Sequence, residues 1–137
     1  MKNIFVDTNI FIDLIADRRP FSKFAITIFD KAEKKKVRLY TSSHVFATTH
    51  YVLKKYVDEK DLRVILLNLL EYVSLVAVDN DIIKKGLKSK HKDFEDALQI
   101  FAAHTVEKID CIVTRNLKDF KEAGIEVLPP DVVAQII

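Results

Sequence analysis

The sequence predicts a three-layer α/β fold in which helices flank a central parallel sheet of four to five strands. Short apolar runs alternate with longer segments whose apolar residues recur every three or four positions. The apolar runs are followed by Asp, Ser, Thr or Asn, the residue types that cap helices. Regular alternation of strand and helix favours parallel strands joined by right-handed helical crossovers.

The first strand is predicted at residues 3–7, where an apolar run ends in Asp7. Thr8 or Asn9 is expected to cap a helix over 9–18. The next elements are predicted as a helix with Pro20 in its first turn and lysines 34–36 at its end, a strand at 37–41 and a helix capped by Ser42 or Ser43. A helix at 62–72 capped by Asp61, a strand at 73–78 and a helix capped by Asp79 or Asn80 that reaches Lys88 follow. The last elements are predicted as a helix from Asp93 to about Glu107, a strand at 111–114, a helix at 116–122, a strand at 125–128 and a helix capped by Asp131.

Length and composition indicate one globular domain over residues 1–137. The hydrophobic share is 49%, and only two Gly and three Pro leave little room for linkers. No apolar run reaches the roughly 18–20 residues that a membrane span needs. The chain enters a strand at once, so no signal peptide is visible. The single cysteine, Cys111, argues against a disulfide scaffold, and we expect a reducing, cytoplasmic location without a membrane.

The formal net charge of +2 indicates no class of binding partner, but the local distribution of charge does. Two clusters of lysine stand out: Lys31 with residues 34–36, and Lys84, Lys85, Lys88, Lys90 and Lys92. One interpretation is a pair of solvated helix faces, and the other is contact with a phosphate backbone. The second cluster runs directly into an acidic segment.

The helix predicted at 62–72 carries more apolar residues than one buried face needs. Such a helix is either central in the fold or part of a subunit contact. In the second case we expect a homodimer formed through this region of the chain.

Parallel strands bring their carboxyl ends to one edge of the sheet, which is where open α/β sheets bind ligands. The residues that follow the predicted strands are expected to share that edge: Asp7, Ser42, Asp79, Thr114-Arg115-Asn116 and Pro129. Asp7 there either caps a helix or holds a ligand, and its own segment does not decide between the two.

A second acidic segment, Asp93-Phe94-Glu95-Asp96, opens the helix in the second half of the chain. Asp93 and Asp96 fall about 60° apart on a helix and border its apolar stripe, whereas Glu95 is expected to point towards solvent. Asp93 as the N-cap with Asp96 three residues on is also typical of a capping box. Asn116 and Asp119 have the same spacing. If these side chains meet, their oxygens suit a hard divalent cation such as Mg²⁺, whereas no His or Cys spacing fits zinc.

Three stretches resemble the PIN domain, the fold of VapC-type toxin ribonucleases and related metal-dependent nucleases. The matching stretches are Val6-Asp7-Thr8-Asn9-Ile10 with Asp13-Leu14, then Lys92-Asp93-Phe94-Glu95-Asp96-Ala97-Leu98-Gln99, then Thr114-Arg115-Asn116-Leu117-Lys118-Asp119-Phe120. The likeness covers essentially the whole chain and implies one PIN-like domain.

The resemblance implies particular roles for these residues. Asp7 and Asp96 are the principal metal-binding acids, and Asp93 and Asn116 complete the metal set, although many members carry Asp where Asn116 stands. Asp7, Asp96 and Asp119 are expected to be catalytic. Supporting positions are expected at Thr8, Asn9, Thr48 and Thr114. Thr48 stands where many PIN domains have a Glu, so this chain departs from the family at two positions.

The leading hypothesis is a ribonuclease dependent on Mg²⁺ or Mn²⁺, in which the metal activates a water molecule for attack on RNA. Lys90, Lys92 and Arg115 are its candidate RNA contacts, and a small antitoxin protein is the expected partner. An alternative is a degraded site that binds RNA or a protein without hydrolysis, since two carboxylates are missing. A phosphoacceptor domain using Asp79 is disfavoured, because the first strand ends in only one Asp.

Overall fold

The computed structural model describes residues 1–137, in which five parallel strands form one sheet. The strands are β1 (Lys2–Val6), β2 (Val37–Ser42), β3 (Val73–Val76), β4 (Cys111–Val113) and β5 (Val127–Leu128). Their order across the sheet is β3-β2-β1-β4-β5, and all four pairings are parallel. The predicted α/β fold with a parallel sheet is confirmed.

Eight helices surround this sheet. They are α1 (Thr8–Ile15), α2 (Ser22–Glu33), α3 (Ser43–Leu53), α4 (Glu59–Leu69), α5 (Asn80–Lys88), α6 (Phe94–His104), α7 (Leu117–Phe120) and α8 (Pro130–Ile136). None of them combines the length and apolar character that crossing a membrane requires.

The central strand β1 divides the core into two layers. Ile4 and Val6 point into one cluster with apolar residues of α1, α2 and α8. Phe5 points the other way, into a cluster with residues of α6 such as Ile100. Alternate side chains of a strand face opposite sides of the sheet, so a continuous apolar run must be covered on both faces. Helices on both faces give the predicted three layers.

Acidic side chains are the N-caps of four of the eight helices, α1, α4, α5 and α6, but they are not always the predicted residues. Asp79 and Asp93 are N-caps as predicted, since their side chains accept hydrogen bonds from the backbone N–H groups of Ile82 and Asp96. The predicted cap at Asp61 is wrong, because α4 begins three residues earlier than predicted, at Glu59, with Asp58 as its N-cap. Its apolar residues mark where that helix becomes buried rather than where it starts.

The prolines also differ in part from prediction. Pro20 lies before α2, which begins at Ser22, so it is not in the first turn of that helix. Near the end of the chain, Pro129 is the N-cap of α8 and Pro130 is its first residue, which places Asp131 in the first turn instead of at the cap. Proline suits the first helical position because its N–H would have no partner there.

Helix α4 is not central in the fold. Leu62 and Leu69 are buried, whereas Val64, Leu67 and Leu70 are 52%, 67% and 42% exposed. The surplus of apolar residues therefore lies on the surface, and the first of the two alternatives, a central place in the fold, is wrong.

The register of the sheet positions the polar edge. Val6 of β1 pairs with Val113 of β4, so the next residues, Asp7 and Thr114, lie side by side. The backbone N–H of Asp7 continues the ladder by donating to the carbonyl of Val113 at 3.1 Å. The acid that ends the first strand is thereby brought next to the polar residue that ends β4.

Candidate metal centre at the carboxyl edge of the sheet

Asp7 lies at the centre of the polar edge and is only 4% exposed. Its Oδ1 accepts hydrogen bonds from the backbone N–H of Thr8 at 2.6 Å and from Nε2 of Gln99 at 2.8 Å. Its Oδ2 accepts one from the Thr114 hydroxyl at 2.6 Å. Burial raises the pKa of Asp7 above its usual value, the bonds from Thr114 and Gln99 lower it, and the charge of Glu95 raises it further.

Local sequence explains how Asp7 reaches this place. It is the N-cap of α1, and it takes this role in place of the predicted Thr8 or Asn9. Its side chain satisfies one free N–H group at the start of that helix. A cap needs one carboxylate oxygen at most, so Oδ2 and the remaining lone pairs of Oδ1 are available for other partners. The two interpretations of Asp7, as cap and as ligand, are therefore compatible.

Gln99 connects Asp7 to a second carboxylate. Its Nε2 lies 2.8 Å from Oδ1 of Asp7, and 3.0 and 2.9 Å from Oε1 and Oε2 of Glu95. The Gln99 side chain is completely buried. Glu95 and Gln99 are four residues apart on α6, a spacing that places both side chains on one face of a helix.

Glu95 was expected to point to solvent, and that prediction is wrong. Its Oε2 lies 2.6 Å from Nε2 of His44, on the first turn of α3, and its carboxylate also binds Gln99. The side chain is 35% exposed. The prediction placed Glu95 relative to its own helix alone, whereas two neighbouring polar groups draw the carboxylate towards the sheet edge.

Asp96 lies beside these acids, and the charged groups that affect its pKa are all carboxylates. Burial and then the charges of Asp93, Asp7, Glu95 and Asp119 raise the pKa of Asp96 to about 7. Both Asp93 and Asp96 lie at the N-terminus of α6, where the helix dipole favours negative charge. The pKa is raised despite that dipole, because burial and then the charges of the surrounding carboxylates outweigh the effect of the helix end.

Three carboxylates of this segment are close enough to bind one ion. One oxygen each from Asp93, Glu95 and Asp96 lie within 4.8 Å of one another. Asp93 uses Oδ1 to cap α6, which leaves its Oδ2 available. All donors are oxygens, the ligand type of Mg²⁺ and Mn²⁺, so this donor set fits the metal that the resemblance implies.

A polar groove of about 430 Å³ opens next to Asp93 and Asp96. Asp119 also lines this groove, and Asn116 is an exposed side chain three residues earlier, at the start of α7. The complete lining, which contains no hydrophobic residue, is Lys90, His91, Lys92, Asp93, Asp96, Lys118, Asp119, Lys121 and Glu122. A groove of about 510 Å³ lies at the other end of the strands, near Asn3 and Arg38, away from these acids.

The supporting residues occupy different places. Asn9 bridges the loops, since its Nδ2 donates to the Thr114 hydroxyl at 3.4 Å and its Oδ1 accepts from the backbone N–H of Arg115 at 3.4 Å. Thr8 contributes its backbone N–H to Asp7, while its hydroxyl oxygen is buried without a partner. Thr48 is half-buried and makes no hydrogen bond to these side chains. Helix α3 instead contacts the acids through His44, one turn earlier.

Arg115 was expected to contact RNA, but its guanidinium has partners within the chain. Its Nε and Nη2 donate to the two carboxylate oxygens of Asp13 at 2.7 and 3.0 Å. The Asp13 side chain is 1% exposed, and the guanidinium carbon lies 4.1 Å from the ring centre of Phe21. This arrangement gives Arg115 a structural role in fixing the loop after β4 against α1.

Sequence reasoning missed Glu95, Gln99, His44 and the two lysines beside Asp119, Lys118 and Lys121. One signal was available for Gln99. It is an amide between Leu98 and Ile100 in an otherwise apolar stretch, and a buried amide needs a polar partner. The other residues depend on how α3, α6 and α7 approach one another, which no local pattern encodes.

Comparison with known proteins gives a consistent result. A family model described as PIN domain matches residues 3–118. A protein named Ribonuclease VapC1, from Aquifex aeolicus, is 32% identical over 135 residues, covering 93% of this chain and 90% of the relative.

Two solved structures illustrate the likeness in fold. One is a chain of VapBC2 from Rickettsia felis bound to a promoter DNA fragment, with a TM-score of 0.67 and 18% identity over 93% of this chain and 98% of that one. The other is a chain of a toxin–antitoxin complex from Klebsiella pneumoniae, with a TM-score of 0.60 and 25% identity over 93% and 97%.

Proposed function

The chain belongs to the PIN domain family, and on that premise we propose that it is an endoribonuclease dependent on Mg²⁺ or Mn²⁺, the toxin of a toxin–antitoxin pair. One observation carries the proposal. Acidic side chains from distant parts of the chain converge, and burial together with their charges raises the pKa of Asp96 to about 7. A group of oxygen donors with excess negative charge is a suitable site for a hard divalent cation.

We assign Asp7 and Asp96 as the principal metal ligands and place Asp93 and Asn116 at the margin of the metal site. The bound cation would lower the pKa of a water molecule and polarise the scissile phosphodiester. The protein's own contribution is orientation. Thr114 and the N–H of Thr8 fix the Asp7 carboxylate, and Asn9 holds the loop that carries Thr114.

Asp119 is proposed as the proton acceptor of the site. It is exposed in the wall of the groove, and its charge contributes to the raised pKa of Asp96. An exposed carboxylate near the metal ligands but not among them can take a proton from the attacking water without losing a metal bond.

The groove supplies the RNA contacts. Lys90 and Lys92 line it, as the sequence suggested, and Lys118 and Lys121 line it as well. Lysine side chains along a groove neutralise phosphates and fix the register of a nucleic acid without reading its sequence. We leave Arg115 out of the contact set because its guanidinium binds Asp13.

Partners follow from the same premise. The similar solved structures include toxin–antitoxin complexes, which supports a small antitoxin that covers the acidic edge.

We also propose a homodimer formed through the exposed apolar face of α4 (Val64, Leu67, Leu70). Leu67→Glu would then shift the mass measured by sedimentation from dimer to monomer. The free, buried Cys111 supports a reducing, cytoplasmic location.

A degraded, non-catalytic PIN module is the second candidate. It is favoured by Thr48 and Asn116, which stand where many family members carry Glu and Asp. Fewer carboxylates weaken the binding of Mg²⁺, and without the metal the same groove would bind RNA without cleaving it.

Calorimetric titration with Mn²⁺, paired with incubation of a labelled single-stranded RNA, separates the two candidates. A nuclease shows saturable Mn²⁺ binding and cleavage that EDTA stops. A degraded module binds the RNA but leaves it intact at every Mn²⁺ concentration. Intact RNA together with absent Mn²⁺ binding would refute the proposed function.

A further inference from the structure

We propose that Glu95 supplies the cation site with the carboxylate that the family resemblance places at Thr48, and that His44 and Gln99 are the residues that position it. This inference rests on the proposed metal-dependent function. It assigns to Glu95 a role as metal ligand, and to His44 and Gln99 roles that act through Glu95.

The distances suit a shared ion. Oxygens of Asp93, Glu95 and Asp96 lie within 4.8 Å of one another. Two ligands on opposite sides of an octahedral Mg²⁺ are about 4.2 Å apart, which is twice the usual metal–oxygen distance of about 2.1 Å. A small rotation of one side chain closes the difference, and the Glu95 side chain, 35% exposed, has room for it.

The surroundings of Glu95 hold its carboxylate at the sheet edge. Nε2 of His44 lies 2.6 Å from Oε2, and Nε2 of Gln99 lies 2.9 Å from the same oxygen. Gln99 also donates to Asp7, so one buried amide fixes the spacing between the carboxylates of Asp7 and Glu95. Residues that orient metal ligands in this way are a general feature of protein metal sites.

Gln99 is difficult to explain as core packing alone. Its side chain is fully buried, and its Oε1 has no hydrogen-bond partner. A buried amide with an unpaired oxygen costs free energy that a Leu of similar size would avoid. The contacts that offset this cost are the two carboxylates, which links the amide to the site rather than to the core.

Helix α3 accounts for the missing Glu. His44 and Thr48 are four residues apart, so both lie on the face of α3 that approaches the site. Where the resemblance expects a carboxylate from α3 itself, this chain presents an imidazole that contacts the carboxylate of α6. The negative charge is thus contributed by the neighbouring helix.

A different explanation is that the His44–Glu95 contact only holds α3 and α6 together and has no role in binding the cation. The chain contains a matched pair for comparison, His50 and Glu59, whose side chains lie 2.8 Å apart and link α3 to α4. Neither residue of that pair lines the groove or contacts Asp7. Variants of this second pair show how the loss of a His–Glu contact between helices affects stability and Mn²⁺ affinity when the contact is not at the site.

The test measures Mn²⁺ affinity by calorimetry without RNA, and thermal stability in EDTA, for Glu95→Gln, Gln99→Leu, His44→Leu and His44→Gln, with Glu59→Gln as control. We expect Glu95→Gln to weaken Mn²⁺ binding at least about 10-fold, and Gln99→Leu and His44→Leu to weaken it by about 10-fold or more. His44→Gln keeps an N–H donor and should restore most of the affinity. Glu59→Gln should bind Mn²⁺ like the wild type.

The outcomes distinguish the proposed role of Glu95 from the proposed metal-dependent function. If Glu95→Gln binds Mn²⁺ as tightly as the wild type while Asp96→Asn does not, Glu95 is not a ligand and this inference is refuted, but the metal-dependent function stands. If His44→Leu only lowers stability in EDTA, the His44–Glu95 contact is a tie between helices. If the wild type binds no Mn²⁺, the proposed function fails as well.

Discussion

The Thr114 hydroxyl donates a hydrogen bond of 2.6 Å to Oδ2 of Asp7, joining residues 107 positions apart in the chain. The hydroxyl oxygen of Thr114 in turn accepts from the backbone N–H of Asn116 at 2.9 Å and from Nδ2 of Asn9 at 3.4 Å. Because Asn116 and Asn9 both act as donors here, the hydroxyl hydrogen is directed to Asp7. One side chain thus orients the buried acid and the loop after β4.

Thr114→Val keeps the shape of this side chain and removes the donor. Asp7 then lacks one of its three hydrogen bonds in a buried position, and we expect the free energy of unfolding to fall by about 1–3 kcal/mol. Urea denaturation of the metal-free protein measures this difference. Thr27→Val is the control, at a partly exposed threonine of α2 whose hydroxyl donates to a carbonyl of its own helix, and it should change stability by less than about 0.5 kcal/mol. Equal stability of wild type and Thr114→Val would show that Asp7 does not depend on this bond.

Asp7→Asn should abolish metal-dependent cleavage of RNA. The amide keeps the size of the side chain but removes the charge that binds the cation, and we expect a loss of at least about 1000-fold in rate. Fluorescent single-stranded RNA in Mg²⁺ or Mn²⁺ provides the measurement, and Asp61→Asn, an exposed acid of α4, serves as control. Cleavage by Asp7→Asn at the wild-type rate would exclude the proposed active site.

Asp96→Asn should stabilise the metal-free protein, and more so at higher pH. The pKa of Asp96 is raised from 3.8 to about 7 in the folded protein. Its contribution to stability is therefore fully present below pH 3.8 and is lost as the pH rises to about 7. Asn does not titrate, so the variant escapes this loss.

The measurement is thermal unfolding in EDTA between pH 4 and pH 8. The advantage of Asp96→Asn should grow over that window and reach about 1–2 kcal/mol, a value reduced because the side chain is partly exposed to solvent. Adding Mn²⁺ at pH 8 should stabilise the wild type and not the variant. A stability difference that is constant with pH would contradict the crowding of charge at Asp96.

The fold was predictable because its signals are local, while the site was predictable only in part. Asp79 and Asp93 cap helices whose apolar residues recur at helical spacing, and a capping carboxylate acts within four residues of itself. The position of Asp7 beside Thr114 follows from a parallel register that the alternation of strands and helices already implied. These features need no knowledge of how distant helices pack.

Glu95 and Arg115 show where this reasoning ends. The position of Glu95 on its own helix predicts that it faces solvent, whereas contacts with Gln99 and with His44 of α3 hold its carboxylate at the edge. Arg115 follows a strand at the polar edge, which is compatible with an RNA contact, but the buried carboxylate of Asp13 binds it. In both cases the deciding partner lies more than 50 residues away.

The lysines of the groove should determine the salt dependence of RNA binding. In an Asp7→Asn background, Lys90→Ala with Lys92→Ala should weaken binding and reduce the slope of log Kd against log salt by about 1.4, or about 0.7 for each phosphate of a single strand that a lysine no longer neutralises. Fluorescence anisotropy over a series of salt concentrations measures the slope. Lys34→Ala with Lys36→Ala is the control, because these lysines belong to the cluster after α2, and it should leave the slope unchanged. The reverse pattern would place the RNA on the other cluster.

Arg115 should contribute to stability and not to RNA affinity. Asp13 is 1% exposed, and Arg115 is its only ion-pair partner. Arg115→Met would leave a buried charge without compensation, at a cost of about 3 kcal/mol. Asp13→Asn in the same chain removes that charge, so the double variant should recover part of the loss, and a double-mutant cycle by urea denaturation gives the coupling.

Since the guanidinium is also stacked on Phe21, Arg115→Met should bind single-stranded RNA within about twofold of the wild type under conditions where both are folded. A loss of RNA affinity as large as that of the lysine variants would return Arg115 to the binding surface.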